Sequence, residues 1–324
     1  MINTFKKLFS LLAPKERKSF WFLLSLIFTV ALLDMLGIAS IMPFVSVLTN
    51  PNLIDSNFFL NRVFEFSKLF GVETNLDFSF LLGFSVFFLL VLSLIIKGIT
   101  LYYQYHFIYH LEKNLGKRLL ESYLNQHYSW FLNRHSSKFG KNILSEVQLI
   151  ISTAIRPTID LISKGLIVIL IVLLLLAVNI KLTLLAALTL GSSYIIFYLM
   201  LKKYLNKLGE KRLMSNESRF FLTNEVFGAI KEVKLAGLEK LFINLFAKSA
   251  QSYAKALTSF QTISHLPRFF LEGVVFGGLL LIILVLIQSS NNFIETIPIL
   301  SLYIFAGYRL MPALQQIYLS ASNI

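Results

Sequence analysis

Residues 165–201 read GLIVILIVLLLLAVNIKLTLLAALTLGSSYIIFYLML, and Lys181 is the one charged residue in the stretch. A helix needs about 20 apolar residues to cross the roughly 30 Å hydrocarbon core of a bilayer. The stretch is long enough for two crossings, and only residues 179–181 are left to connect them. It therefore predicts two transmembrane helices joined by a tight turn.

Further apolar stretches of similar length lie on both sides of this hairpin. The composition agrees with a membrane protein, since 15% of the 324 residues are charged, against about 25% in an ordinary soluble domain, and the mean hydropathy is +0.70. The chain has no cysteine, which excludes a disulfide scaffold, a cysteine zinc site and a thiol nucleophile. We predict an all-α membrane protein with six transmembrane helices. The predicted spans are 20–48, 78–103, 157–180, 182–201, 267–287 and 294–319.

Lysine and arginine are concentrated on one side of these spans. Five precede the first span, six lie in residues 104–155 between the second and third, and eleven lie between the fourth and fifth, whereas the opposite loops hold three. Such residues are retained on the cytoplasmic side of a membrane. We therefore expect both termini and both long segments in the cytoplasm, and we interpret the net charge of +13 as a topology signal, with no nucleic acid as partner.

The two long segments, 104–155 and 202–266, are too long for simple connections and contain almost no Pro or Gly. In the first, Leu111, Leu115 and Leu119 recur at helical spacing. Helices over residues 104–127 would extend about 35 Å beyond the membrane, at 1.5 Å per residue. We predict helical extensions that present two short tips, at 128–133 and 223–231, to a soluble partner. A cytoplasmic helical bundle without a partner is the alternative.

This pattern resembles the transmembrane domain of ABC exporters, the type IV half-transporters. WFLNRHSS at 130–137 looks like the first coupling-helix region of that family, and EVFGAIKEVK at 225–234 is similar to the second. Within the family, PRFFLEG at 267–273 and YRLMP at 308–312 most resemble the lipid-linked oligosaccharide flippases of bacterial protein N-glycosylation.

The resemblance implies an ABC exporter fold (type 1 transmembrane domain) with long cytoplasmic extensions and two coupling helices. It implies a multi-pass protein of the bacterial cytoplasmic (inner) membrane, a nucleotide-binding domain as partner, and a second transmembrane half in a dimer, which we expect to be a homodimer. The residues expected to couple to the ATPase are Tyr128, Trp130, Phe131, Asn133, Glu225, Phe227 and Gly228.

The resemblance also implies an external amphipathic helix, between the first two spans, that touches the lipid tail of the cargo. Its apolar face would consist of Phe59, Val63, Phe66 and Phe70. A solvated loop is the alternative.

No phosphate-binding loop of the form G-x-x-x-x-G-K-[ST] occurs in the sequence. We therefore expect ATP-Mg to bind to a partner nucleotide-binding domain, either C-terminal to this sequence or on a separate polypeptide, and no cofactor to bind to this chain. His106 and His110 are one helical turn apart but have no acidic partner near them in the sequence, so we predict no metal site.

Three cations, Lys97, Arg268 and Arg309, lie in or beside predicted spans, where an ionisable residue costs at least about 2.5 kcal/mol at the membrane centre. If they share a cavity, it would bind the pyrophosphate of a polyprenyl-linked sugar through charge-assisted hydrogen bonds. Alternatively, Lys97 and Arg268 extend to cytoplasmic water. The role of Asp34 is left open, because no partner lies near it in the sequence.

The resemblance implies, as the leading function, ATP-driven flipping or export of a lipid-linked oligosaccharide, or a similar amphipathic anionic lipid, by alternating access. An ABC exporter of peptide, drug or other lipid is the first alternative. A secondary transporter is less favoured, because it would show paired interruptions in its spans. A non-transporting membrane scaffold is the third alternative.

Overall fold

The computed structural model describes residues 12–132, 139–140, 142–289 and 293–323, with some helical residues described by their backbone alone. In these ranges the regular secondary structure is helical and contains no strand. A 3₁₀ segment, Lys68–Phe70, and two π-helical segments, Asn142–Glu146 and Ile151–Ile155, add to the α-helices. The α-helices are α1 (Pro14–Ala39), α2 (Ile41–Thr49), α3 (Leu53–Ser56), α4 (Phe58–Ser67), α5 (Asn75–Leu124), α6 (Tyr128–Leu132), α7 (Val147–Ile150), α8 (Arg156–Val178), α9 (Ile180–Gly228), α10 (Ile230–Leu235), α11 (Glu239–Ser289) and α12 (Phe293–Asn323).

Local sequence explains where several helices begin and end. Helix α5 begins with a capping box: the hydroxyl of Thr74 accepts from the amide of Asp77, and the Asp77 carboxylate accepts from the amide of Thr74, both at 3.1 Å. The predicted first span is interrupted at Ser40, between α1 and α2. Pro43 explains the interruption, because it has no N–H to donate to the carbonyl of Ala39 one turn earlier.

Four stretches in the described part of the chain are long and apolar enough to cross a membrane: Pro14–Thr49, Asn75–Leu124, Asn142–Val178 and Thr296–Ser322. The predicted spans 182–201 and 267–287 fall within α9 and α11, where many side chains lie outside the description. The count of six spans and their limits stay predictions. Helices α5, α9 and α11 have 50, 49 and 51 residues, so each is roughly 75 Å long and exceeds what a bilayer core requires.

The chain divides into two compact units, the first made of Met1–Leu184 and Gly277–Ile324 and the second of Leu185–Phe276. Three apolar clusters form the core of the first unit. One joins α1, α5 and the segment from α7 to the start of α8, the second joins α1, α8 and α12, and the third joins α2, α3, α4 and the start of α5. The centres of these clusters include Leu23, Ile171 and Phe78, all at most 1% exposed.

The second unit contains an antiparallel pair of helices. Ser215 and Ser218 on α9 hydrogen-bond Ser252 and Ser249 on α11, at 3.0 and 2.9 Å. The residue number of the partner on α11 decreases by three, from 252 to 249, as the residue number on α9 increases by three, from 215 to 218. This order shows that the two helices run antiparallel. Arg219 lies over the ring of Tyr253 at 4.5 Å, a cation–π contact that adds to the pairing.

Candidate functional site

A buried carboxylate joins three helices of the first unit. Asp34 on α1 accepts a hydrogen bond of 2.5 Å from the hydroxyl of Ser93 on α5. The ammonium of Lys97, also on α5, lies 3.7 Å from Asp34 Oδ2, and the guanidinium of Arg309 on α12 lies 3.5 Å from Oδ1. We call Asp34, Ser93, Lys97 and Arg309 the Asp34 cluster.

The cations of the Asp34 cluster are more accessible than its carboxylate. The side chains of Lys97 and Arg309 are 36% and 19% exposed, whereas Asp34 is 1% exposed. Both ion pairs are longer than the roughly 2.7–2.9 Å of a charge-assisted hydrogen bond, and Asp34 Oδ2 has no hydrogen-bond donor in the described structure. The two cations therefore keep donor capacity for a second anion.

A second carboxylate lies nearby in the same helices. Asp160 on α8 accepts hydrogen bonds from Gln104 on α5 at 2.7 Å and from Gln316 on α12 at 3.3 Å. Lys164, one turn along α8, interacts electrostatically with Lys97, Arg309 and both carboxylates. This network thus contains three cations (Lys97, Lys164 and Arg309) and two carboxylates (Asp34 and Asp160), an excess of one positive charge.

The three cations predicted to share a cavity are placed as follows. Lys97 and Arg309 meet at Asp34, although 212 positions separate them in the sequence. Arg268 is a helical residue of α11 whose side chain lies outside the described residues, so its place in a cavity stays a prediction.

The first predicted tip contains a cluster of aromatic side chains. Trp130 on α6 stacks on Phe139 with ring centroids 5.2 Å apart, and Phe131 and Tyr123 also contact Phe139. Tyr128, at the start of α6, is 78% exposed. Asn133 lies outside the described residues.

The second predicted tip is the junction of α9 and α10. Glu225, Phe227 and Gly228 form the last turn of α9, and the Phe227 side chain is 71% exposed. A groove of about 460 Å³ lies here between α9, α10 and α11, lined by Phe227, Ile230 and other mostly apolar residues.

The sequence profile of the family described as the ABC transporter transmembrane region matches residues 29–312. The chain belongs to this family. As an ABC transporter transmembrane region, it is the membrane part of an exporter that works with a nucleotide-binding domain and a second transmembrane half. No group of three or more His, Asp or Glu side chains in the described ranges is arranged to hold a metal ion.

The helix predicted between the first two spans of this transmembrane region corresponds to α4 and the 3₁₀ segment after it. On α4, Val63 is half-buried and Phe66 is 65% exposed. Leu60, Val63 and Phe64 form the side that faces the core: Leu60 is 6% exposed, Val63 packs against the core cluster, and the Phe64 ring lies 5.2 Å from that of Phe78. The side chains of Phe59 and Phe70 lie outside the described residues.

Sequence reasoning left out several residues of this charged network. Ser93 precedes Lys97 by one helical turn on α5, a spacing that could have placed both on one face. Gln104 and Gln316 also stand out as polar residues in apolar helices, but no spacing in the sequence relates either to Asp160. Pairing between separate spans depends on how the helices pack, which the sequence pattern does not reveal.

Proposed function

We propose that this transmembrane region flips or exports an amphipathic anionic lipid by alternating access, and that its cargo is a lipid-linked oligosaccharide. The Asp34 cluster would recognise the pyrophosphate group, with Lys97 and Arg309 as its ligands. Arg268 is the third cation that we expect to contribute to this site.

The ionic contacts of Asp34 are the observation that supports this proposal. An unpaired cation within a membrane span would be costly. Asp34 offsets that cost for Lys97 and Arg309, while their N–H groups keep capacity for further hydrogen bonds. The excess positive charge of the surrounding network favours an incoming anion. Arginine presents several N–H groups in a plane, so Arg309 suits the paired oxygens of a phosphate.

The contacts of the Asp34 cluster with three helices support an alternating-access cycle. Asp34, Lys97 and Arg309 belong to α1, α5 and α12, so an anion bound by the two cations interacts with two of these helices at once. Its affinity therefore changes if the helices separate. ATP-Mg bound by the partner nucleotide-binding domains would supply the free energy for that change, and the tips around Tyr128 and Phe227 would transmit it.

The proposed assembly is a homodimer in the bacterial inner membrane, with both termini and the two basic segments in the cytoplasm. The charge distribution supports this orientation, because the segments predicted to be cytoplasmic are much richer in Lys and Arg than the opposite loops. Each half would bind one nucleotide-binding domain.

ATP hydrolysis by the complete complex in liposomes tests the cargo. We expect a lipid-linked oligosaccharide to stimulate turnover, and Arg309→Ala to raise the concentration needed for half-maximal stimulation roughly ten- to hundredfold, the range for losing a hydrogen bond to a charged group. Arg309→Lys should retain part of the response. Arg156→Ala is the matched control, because Arg156 is exposed and bound to Tyr105 outside the cluster.

Two results would contradict the proposal. Unchanged stimulation of the Arg309→Ala complex would remove this residue from cargo binding. Stimulation by peptides, drugs or neutral lipids, with none by lipid-linked diphosphates, would replace the anionic cargo by the alternative exporter function.

A further inference from the structure

A separate pocket of about 470 Å³ lies between the first three turns of α1 and the second half of α5. Its walls include Lys15 and Lys18 from α1 and His106 and His110 from α5. None of these residues belongs to the Asp34 cluster or to the predicted tips. All of the pocket lies within the first compact unit.

The pocket lies where two predicted spans end. Phe20 begins the predicted span 20–48, and Tyr103 ends the predicted span 78–103. Trp21 and Tyr102 beside it are 63% and 68% exposed. Tryptophan and tyrosine are enriched at the boundary between hydrocarbon and water, so their exposure here places the pocket at the level of the lipid headgroups.

One half of the pocket is positively charged. The ammonium groups of Lys15 and Lys18 are exposed and form no ion pair among the described residues. The acidic residue of the pocket, Glu16, is already engaged: it accepts hydrogen bonds from the amide of Ala13 at 2.7 Å and from Asn114 at 2.9 Å. Arg118 lies 3.6 Å from the same carboxylate. Arg118 therefore offsets the negative charge that Glu16 would present to a bound anion.

The opposite wall offers further donors. The imidazole rings of His106 and His110 lie on one face of α5 with their centroids 4.2 Å apart. Every neutral imidazole carries one N–H donor, whichever nitrogen is protonated. The two rings can therefore donate at least two hydrogen bonds toward an anion held by the lysines.

The other half of the pocket is apolar. The rings of Phe22 and Tyr103 meet edge to face, with centroids 5.4 Å apart, and both side chains are more than a third exposed. Buried Leu23, Phe107 and Leu111 complete this side. A ligand that fits both halves needs an anionic group and a hydrocarbon chain next to it.

We propose that the pocket binds the phosphate headgroup of an anionic phospholipid from the surrounding leaflet. Lys15 and Lys18 would pair with the phosphate, His106 and His110 would donate to it, and an acyl chain would lie against Phe22. Basic pockets between helices at the cytoplasmic membrane surface recognise such headgroups. The proposal rests on the orientation given above and not on the cargo.

Tryptophan fluorescence offers a direct test, because the chain has two tryptophans, Trp21 and Trp130. In the Trp130→Phe protein, Trp21, which lies beside the pocket, is the one remaining tryptophan. We expect brominated phosphatidylglycerol added to the full chain in detergent to quench Trp21 at lower concentration than brominated phosphatidylcholine. Inorganic phosphate and glycerol phosphate, added as competitors, distinguish a lipid from a free phosphate.

Two sets of variants locate the binding. Lys15→Gln with Lys18→Gln should weaken phosphatidylglycerol binding roughly twentyfold, because each lysine near an anionic surface contributes about a factor of five. His106→Phe with His110→Phe retains the aromatic contact and removes the donors, so it should weaken binding while the protein stays folded. Lys207→Gln with Lys211→Gln removes the same charge from exposed positions on α9 and should leave quenching unchanged.

Three outcomes would overturn the proposal. Equal quenching by the two lipids would exclude headgroup recognition. Complete displacement by inorganic phosphate at the concentrations at which the lipid binds would make the ligand a free anion. An equal loss in the α9 control would show that net charge, not the pocket, attracts the lipid. The measurement uses neither cargo nor ATP, so its failure leaves the proposed transport function standing.

Discussion

Asp34 is the residue whose replacement best tests the ionic contacts between the spans. Asp34→Asn retains the shape of the side chain and a partner for Ser93 but leaves Lys97 and Arg309 without their counter-charge. Removing one partner of a buried ion pair costs about 3–5 kcal/mol. We expect a loss of about 3 kcal/mol, because Lys97 is 36% exposed and can recruit water. Thermal unfolding in detergent would measure the loss.

The matched control for this prediction is Asp55→Asn. Asp55 is exposed on α3, so the same substitution should change the free energy of unfolding by no more than about 0.5 kcal/mol. Adding Lys97→Met to Asp34→Asn removes one of the unpaired cations and should recover part of the loss. If the two aspartate variants unfold at the same temperature, Asp34 does not stabilise the helix contacts.

The same residues show what sequence could and could not predict of the site. Lys97 and Arg309 stand out individually, because a charge within an apolar span is costly whatever surrounds it. Asp34 has no partner within a helical turn in the sequence, and its partners lie 63 and 275 positions away. Only the packing of α1, α5 and α12 brings these side chains together.

At the scale of single elements, α4 provides a matched pair of phenylalanines. Phe64 contacts fully buried Phe78, whereas Phe66 is 65% exposed on the same helix. Phe64→Ala should lower the free energy of unfolding by about 3 kcal/mol, because large-to-small changes in a core leave a cavity. Phe66→Ala should cost less stability than Phe64→Ala, because Phe66 is more exposed, and, if α4 touches the lipid tail of the cargo, it should reduce stimulation of ATP turnover by cargo. Chemical unfolding and ATP hydrolysis of the two variants would separate these roles.

The sequence predicts where α4 lies in the chain better than it predicts which of its side chains face the core. Apolar residues at helical spacing with polar residues between them indicate an amphipathic helix, and a helix is present over Phe58–Ser67. However, Phe59, Leu60, Val63, Phe64 and Phe66 are all apolar, so periodicity alone allows more than one buried face. Contacts with α2, α3 and the start of α5 select Leu60, Val63 and Phe64, and these contacts join residues distant in the sequence.

Because of Glu239, we expect the stability of the first turns of α11 to depend on pH. Its pKa is lowered from the ordinary 4.5, first by a hydrogen bond from its own backbone amide and then by Lys234, whose ammonium lies 3.1 Å away. A carboxylate with a lowered pKa stabilises the folded state at a pH above its ordinary pKa. That contribution decreases as the pH falls below 4.5 and is gone below the lowered value.

Hydrogen exchange by mass spectrometry, corrected for the intrinsic rate at each pH, would detect this effect. Protection of the first turns of α11 should fall on acidification in the native protein. Glu239→Gln should have low protection already at neutral pH, with a flatter acid profile, whereas Glu210→Gln, in the middle of α9, should behave like the native protein. An unchanged profile in Glu239→Gln would contradict the assignment.

At the scale of the whole molecule, the family requires the membrane helices to respond to a soluble ATPase, so an exposed apolar residue at a tip should bind that partner. Phe227 is 71% exposed at the end of α9, beside an apolar groove. A few residues at the centre of an interface, typically with large side chains, contribute about 2 kcal/mol or more to binding. We expect Phe227→Ala to weaken association with the purified nucleotide-binding domain roughly thirtyfold, since every 1.4 kcal/mol is a factor of ten.

Phe221→Ala is the control for this prediction, because Phe221 is 66% exposed on the same helix but does not line the groove. It should bind the ATPase normally. In the reassembled complex, Phe227→Ala should also lose stimulation by cargo even when excess ATPase restores binding, because the contact that transmits the conformational change is missing. If full stimulation returns once binding is saturated, Phe227 contributes affinity alone, and coupling must depend on other contacts, such as those of Tyr128 at the first tip.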